Sequence, residues 1–185
     1  SCANRVATRA ITGAYDDDNA LQSLAYAADV VTFEFENVPA KVVERLRDLK
    51  CEVAPGALAL ATAQDRVAEK TFLNGCGAAT VAFVAINKAA DIGPALDKLG
   101  APALMKTRRE GYDGKGQAWI EGHGDAAAAF ARIGRKPAIL EAVAPFVREV
   151  SVIAARGRDG EVACYPIGEN HHENGVLRRT SAPAE

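Results

Sequence analysis

Lys106-Thr107-Arg108-Arg109-Glu110-Gly111-Tyr112-Asp113-Gly114-Lys115-Gly116-Gln117 decides how this chain reads. An apolar run, Pro102 to Met105, leads into it, and Ala118-Trp119-Ile120 resumes the apolar pattern after it. That is the order strand, glycine loop, strand. Glycine lets backbone approach a ligand closely and aim successive N–H groups at an anion, while Lys106, Lys115 and the two arginines supply positive charge. A phosphate cradle and a basic hairpin turn both fit these residues.

Neither common phosphate motif accounts for the loop. A P-loop places lysine directly after its second glycine, and Gln117 stands there. A dinucleotide fingerprint opens a helix with Gly-x-Gly-x-x-Gly, whereas this loop runs Gly-x-x-Gly-x-Gly into a strand-like segment. A glycine loop between two strands, with a lysine on the incoming strand, resembles the phosphate-covering loop of ATP-grasp enzymes.

The 185 residues are enough to bury a real core in one or two domains. Hydrophobic residues make up 49% and charged ones 25%, with a net charge of −2, so no basic excess points to nucleic acid. The four cysteines (Cys2, Cys51, Cys76 and Cys164) are scattered, with no C-x-x-C pair, and read as reduced thiols in a cytoplasmic protein. No apolar run approaches a membrane span of about 20 residues. Lacking an initiator Met and opening at Ser1-Cys2-Ala3-Asn4, the chain reads as a piece of a longer protein.

Outward from the loop, helix and apolar strand alternate. Residues 19–28 read as a helix capped by Asn19, Asp29 to Phe33 as a buried strand, Pro39 to Leu49 as an amphipathic helix, and Cys51 to Pro55 as a short strand. This alternation signals a parallel α/β sheet, whose ligands gather at strand carboxyl ends. Glu36 and Asn37 sit at such an end, as pocket residues or as a surface turn. A single helix is expected over Ala57 to Leu73. From Thr80 the pattern becomes strand (Val81–Ile86), helix (Asp91–Leu99), strand (Ala103–Thr107), glycine loop, strand (Ala118–Ile120), helix (Asp125–Ile133) and strand (Ala138–Glu141), with Gly100 and Gly134 as helix stops. Glu149 to Ala154 then alternates at period two, turns at Arg158-Asp159-Gly160 and returns over Glu161 to Pro166 as a hairpin. The polar stretch Gly168 to Arg179 holds His171 and His172; neighbours on a strand face opposite ways, which disfavours a shared zinc ion.

Taken in order, Thr32-Phe33-Glu34-Phe35-Glu36-Asn37-Val38, Gln64-Asp65-Arg66 with Glu69-Lys70, Gly111 to Gln117, Arg148 to Ile153, and Tyr165-Pro166 through Glu169-Asn170, His172, Gly175 and Leu177-Arg178 resemble the 5-(carboxyamino)imidazole ribonucleotide synthases. These are the ATP-grasp carboxylases of de novo purine synthesis, and the resemblance covers essentially the whole chain. It implies an α/β and α+β ATP-grasp fold, preceded by the second half of a Rossmann-like pre-ATP-grasp domain. Residues 1–56 would be the remnant of that domain and 57–185 the ATP-grasp region, with a lid at about 78–145 and the start of the C-terminal subdomain at 146–185.

By position, the resemblance assigns Arg66 and Lys106 to the nucleotide, Gly111, Tyr112, Asp113, Gly114, Lys115, Gly116 and Gln117 to the phosphate-covering loop, and Glu141, Ala142, Val143 and Ala144 to the hinge that reads the adenine edge. It makes Glu149 the acid for the ribose hydroxyls and His172 a further nucleotide-site residue. Lys106, Tyr112, Asp113 and Lys115 carry the catalytic roles. A second glycine is frequent in the family where Glu110 stands.

What the resemblance implies is ATP- and Mg2+-dependent carboxylation of 5-aminoimidazole ribonucleotide by bicarbonate, through carboxyphosphate or carbon dioxide released from it. The magnesium ligands are expected beyond Glu185, the isolated chain is expected to be inactive, and the intact protein to be a cytoplasmic homodimer. Two alternatives stand beside it. One is another ATP-grasp ligase, such as the formate-dependent glycinamide ribonucleotide transformylase, against which Tyr112-Asp113 speaks because that family carries a serine-rich stretch before its Gly-Lys-Gly. The other is a non-catalytic nucleotide-binding fragment.

Overall fold

The computed structural model describes residues 3–111, 115–173 and 175–185. They fall into two compact units, 1–80 and 81–185.

In the first unit, α1 (Asp18–Ala27), β1 (Val30–Val31), α2 (Ala40–Asp48), β2 (Glu52–Val53), α3 (Ala57–Ala63) and α4 (Arg66–Gly75) follow one another. β1 and β2 pair in parallel, Val30 beside Glu52 and Val31 beside Val53. The strands are shorter than the apolar runs that announce them. Leu21, Val42, Val43, Leu46, Val53 and Leu60 form the core of this unit, bringing one face of α1, α2 and α3 onto β2. α1 begins one residue earlier than expected: Asp17 rather than Asn19 is its cap, accepting from the N–H groups of Asn19 and Ala20.

The single helix expected over Ala57–Leu73 is two. The buried Asp65 carboxylate turns back onto the N–H groups of Val67 and Ala68, at 3.0 and 3.2 Å, and this cap starts a new helix at Arg66. A side chain that satisfies free N–H groups of a new first turn competes with continuation of the old helix. Gln64, at the break, donates to the carbonyl oxygens of Glu36 and Val38, so the turn after β1 is tied to the α3–α4 corner.

The second unit contains β3 (Phe83–Ile86), α5 (Ile92–Leu99), β4 (Ala103–Thr107), β5 (Gln117–Ile120), α6 (Ala126–Arg132) and β6 (Ala138–Ala142), which build an antiparallel sheet in the order β3-β6-β4-β5. α5 and α6 pack on one face. Ile86, Ile92, Leu96, Met105, Ile120, Phe130 and Leu140 form the core there, each nearly or fully removed from water. Asp91 and Asp125 each accept two backbone N–H bonds at the short helical turns before α5 and α6. Gly100 and Gly134, with φ of +82° and +76°, stand at the two stops.

Beyond β6 come β7 (Glu149–Ser151), β8 (Ala154–Arg156), β9 (Val162–Cys164), β10 (Gly168–Glu173) and β11 (Val176–Ser181). The alternating run from Glu149 to Ala154 is not one hairpin strand. Its end continues as β8, which pairs with β9 around the Asp159-Gly160 turn, while its start, β7, pairs with β10 in a three-stranded antiparallel sheet of order β11-β10-β7. The polar stretch holding the two histidines is therefore a strand with a register shift between His171 and His172. No helix among the described residues is long and apolar enough to cross a membrane.

Candidate functional site

Alternation along the four-stranded sheet sorts its side chains. Ala103, Met105 and Thr107 of β4 are buried toward the helices, which turns Leu104 and Lys106 to the opposite face. The register puts two rows across that face: Trp119, Leu104, Glu141 and Phe83 at one level, and Gln117, Lys106, Ile139 and Ala85 at the next. Lys106 and Glu141 are diagonal neighbours in these rows, and Lys106 Nζ lies 2.7 Å from Glu141 Oε2. Glu141 is 5% exposed, so a carboxylate nearly removed from water holds a half-buried ammonium on a face whose other polar side chain in these two rows is Gln117.

The glycine loop rises from the same end of β4 and β5. Thr107 N–H donates to the Gly116 carbonyl at 2.8 Å, and Arg108 N–H to the Pro137 carbonyl at 3.0 Å, closing the base of the loop. Gly116 has φ +71°, and a Cβ there would stand 2.8 Å from Thr107 Oγ1. Only glycine suits that position, on conformation and on space. At the other end of the loop Glu110 occupies the left-handed region with φ +63° and lies 3.7 Å from the Lys136 ammonium. That is the conformation for which the frequent family glycine is suited. Tyr112, Asp113 and Gly114 lie outside the described residues; Lys115 is exposed and Gly111 half-buried.

The hinge residues leave the sheet where β6 ends. Ala142 is the last residue of the strand, its N–H bonded to the Ala82 carbonyl at 2.9 Å, and Val143 and Ala144 follow without regular structure. Peptide groups just past a strand end are free of the ladder and able to read a ligand edge.

Glu149 and His172, 23 positions apart in sequence (172 − 149), meet across the three-stranded sheet, with His172 Nδ1 3.3 Å from Glu149 Oε1. Asn170 pairs directly opposite Glu149 on one side and opposite Thr180 on the other. His171 turns instead to Glu173, 3.5 Å away. Among the described residues no group of three or more His, Cys, Asp or Glu side chains is placed to hold a metal ion.

In the first unit Arg66 is the first residue of α4, held there by the Asp65 cap. Glu36 and Asn37 lie in the turn after β1, fastened through the Glu36 carbonyl to Gln64. A cavity of about 620 Å³ in this unit, lined by residues such as Ile11, Tyr15, Leu21 and Leu24, contains none of the residues expected to bind ligand. Thr107, which packs beneath Gly116, carries no sequence signal beyond its place at the end of an alternating strand.

The chain matches the ATP-grasp domain over residues 71–185 and the ribonucleotide synthetase preATP-grasp domain over residues 1–64. It is 45% identical over 184 residues to an N5-carboxyaminoimidazole ribonucleotide synthase of Brucella melitensis, covering 98% of this chain and 51% of that one. The structure of the Staphylococcus aureus N5-carboxyaminoimidazole synthetase complexed with ADP superimposes with a TM-score of 0.91 at 36% identity, covering 98% of this chain and 48% of that one. That of the Aspergillus clavatus N5-carboxyaminoimidazole synthase with ADP and 5-aminoimidazole ribonucleotide does so with a TM-score of 0.88 at 25% identity, covering 99% and 48%. The chain thus spans about half the length of the relatives it matches. An antiparallel four-stranded sheet with a glycine loop between β4 and β5, matched in sequence over more than half the chain, places this protein in the ATP-grasp family.

Proposed function

We propose that this chain carries the nucleotide-binding part of an ATP-dependent ligase that carboxylates 5-aminoimidazole ribonucleotide with bicarbonate. The observation that carries this reading is the Lys106–Glu141 pair on the sheet face away from the helices, beside the glycine loop. It is a cation held in place at the foot of a glycine loop, where it would offset the charge of a polyphosphate. The described part of the loop also fits a phosphate: Gly116 brings backbone where any side chain would collide with Thr107. The resemblance to enzymes solved with ADP, and with ADP and aminoimidazole ribonucleotide, supports the choice of ligands.

In this reading bicarbonate attacks the γ-phosphorus of ATP, giving carboxyphosphate and ADP. The exocyclic amine of the imidazole then takes the carboxyl group, directly or from released carbon dioxide, and phosphate leaves. In this reading Lys106 offsets charge on the phosphates, loop amides from Gly111 to Gln117 cover them, and Lys115, Tyr112 and Asp113 serve the carboxylation step. Arg66 adds a second cation. Peptide groups of Glu141, Ala142, Val143 and Ala144 take the adenine edge, Glu149 the ribose hydroxyls, and His172 supports Glu149. Phosphoryl transfer asks for this positioning and charge compensation more than for a protein nucleophile. ATP would be used with Mg2+, and among the described residues no group of three or more His, Cys, Asp or Glu side chains is placed to hold that ion.

Residues 1–56 would then belong to the pre-ATP-grasp domain and 57–185 to the ATP-grasp region, with the lid at about 78–145 and the C-terminal subdomain opening at 146–185. The intact protein would be a cytoplasmic homodimer.

The test is ADP release by the intact protein with bicarbonate and aminoimidazole ribonucleotide, compared with its Lys106→Ala variant. Turnover that needs both substrates and is lost in the variant is expected. Unchanged ADP release in the variant, or release indifferent to the ribonucleotide, overturns the assignment.

A further inference from the structure

β7 and β10 bring together polar groups that the nucleotide assignment leaves partly unused. Asn170 stands directly opposite Glu149, so the two side chains share one face of the sheet. Asn170 Oδ1 accepts the Thr180 hydroxyl at 2.9 Å and the more distant Ser151 hydroxyl at 3.4 Å. Thr180 is its directly opposite neighbour on β11, and Ser151 lies two residues beyond Glu149 on β7, again on the same face. With its oxygen held from both flanking strands, the amide presents its nitrogen, which has no partner among the described residues. An amide nitrogen carries two donors.

Beside it lies the Glu149 carboxylate, an acceptor, with His172, two residues on from Asn170 along β10, 3.3 Å away. A carboxylate beside an oriented amide suits a group that both donates and accepts hydrogen bonds. A ribose hydroxyl is such a group: its proton goes to the carboxylate, and its lone pair takes an N–H.

We infer that Asn170 is a second ribose-recognising side chain, donating to a hydroxyl whose proton Glu149 accepts, and that Thr180 is the positioning residue that turns the amide nitrogen outward. This rests on the nucleotide reading of Glu149 given above. Its consequence is discrimination by hydroxyl: a deoxynucleotide leaves both the carboxylate and the amide without their partner, a larger loss than that of one neutral hydrogen bond.

The experiment is calorimetric titration of the intact protein with ATP, 2′-deoxyATP and 3′-deoxyATP, taking the larger of the two deoxy penalties as the readout. Asn170→Asp keeps the shape and removes the donor. In it, and in Asn170→Ala, the penalty is expected to shrink about tenfold, because ATP weakens while the deoxy analogue does not. Thr180→Val is expected to shrink it less, and Thr180→Ser to restore it; a merely structural role for Thr180 would lower affinity for all three nucleotides alike. An unchanged penalty in Asn170→Asp, with ATP still bound, overturns the inference. Failure of the unsubstituted protein to bind ATP overturns the nucleotide reading itself, and the two failures are distinguished by the ATP titration alone.

Discussion

Lys106 Nζ stands 2.7 Å from Glu141 Oε2, diagonally across β4 and β6, on the sheet face turned away from the helices. Most charges in proteins sit where water screens them; here the carboxylate is 5% exposed. Removing the lysine leaves a nearly buried carboxylate without its ammonium. The amine itself is partly exposed, so the cost falls below the several kcal/mol of a fully buried pair. Lys106→Ala is expected to lower stability by about 1–3 kcal/mol as well as to weaken nucleotide binding. Glu141→Gln, which keeps an acceptor for Lys106, is expected to cost less. Denaturant unfolding of both variants checks the order; a Lys106→Ala chain as stable as the parent would show that the pair adds nothing to the fold.

Glu110 and Gly116, the left-handed positions among the described residues of the glycine loop, make opposite predictions. Gly116→Ala puts a Cβ at φ +71° against Thr107 Oγ1, and is expected to cost more than about 1 kcal/mol and to disturb the loop base. Glu110 already bears a side chain at φ +63°, and its ion pair with Lys136 is exposed and 3.7 Å long. Glu110→Gly relieves strain of about 1 kcal/mol, loses an exposed pair of smaller value, and frees the unfolded chain, so a change within about 1 kcal/mol is expected. Thermal melting of the two variants side by side decides it. A strongly destabilised Glu110→Gly would mean that the Lys136 contact holds the loop.

Much of this was legible because it is local. The β4 boundaries, Ala103 to Thr107, follow from an apolar run closed by polar residues, and the lysine next to a glycine loop announces its chemistry without a structure. The break at Asp65 was not, because Ala57 to Leu73 keeps helical spacing throughout and only the direction of one carboxylate splits it. Nor was the partner of β7. Alternation identifies a strand but not its neighbour, and the short turn at Asp159-Gly160 favoured the nearest pairing, whereas Glu149 pairs with Asn170, 21 positions on (170 − 149). The Lys106–Glu141 contact is non-local in the same way: the resemblance named both residues, one for its side chain and one for its backbone, without joining them.

Asp65 tests how the first unit presents Arg66. Its carboxylate caps α4 through Val67 and Ala68, and it is buried, so the N–H groups it satisfies have little water to turn to. Asp65→Ala is expected to cost about 1–2 kcal/mol and Asp65→Asn less, since an amide oxygen also caps. If Arg66 serves the nucleotide, the alanine variant also loses ATP affinity more than its stability loss explains, measured well below its unfolding temperature. Equal affinity in Asp65→Ala and the parent would separate the cap from the site.

The last prediction concerns acid. Arg45 donates to both carboxylate oxygens of Asp18, across α2 and α1, and Gln22 adds a third bond. The Arg45 hydrogen bond first, and the Gln22 amide after it, hold the Asp18 carboxyl at about 2, below its ordinary 3.8. A carboxyl whose folded value is depressed binds protons more weakly folded than unfolded. Its stabilising contribution is therefore complete above about 3.8 and fades as pH falls toward 2. Asp91 works in the same direction, its carboxyl lowered by the Asn87 N–H ahead of that of Lys88. The Asp18→Asn variant should accordingly melt below the parent at pH 6, and the gap should narrow between pH 4 and pH 2 while the parent itself loses stability. The group is exposed and open to screening, so the gap should also shrink with added salt. A gap constant across that pH range would mean that the asparagine disturbs α1 for reasons other than charge.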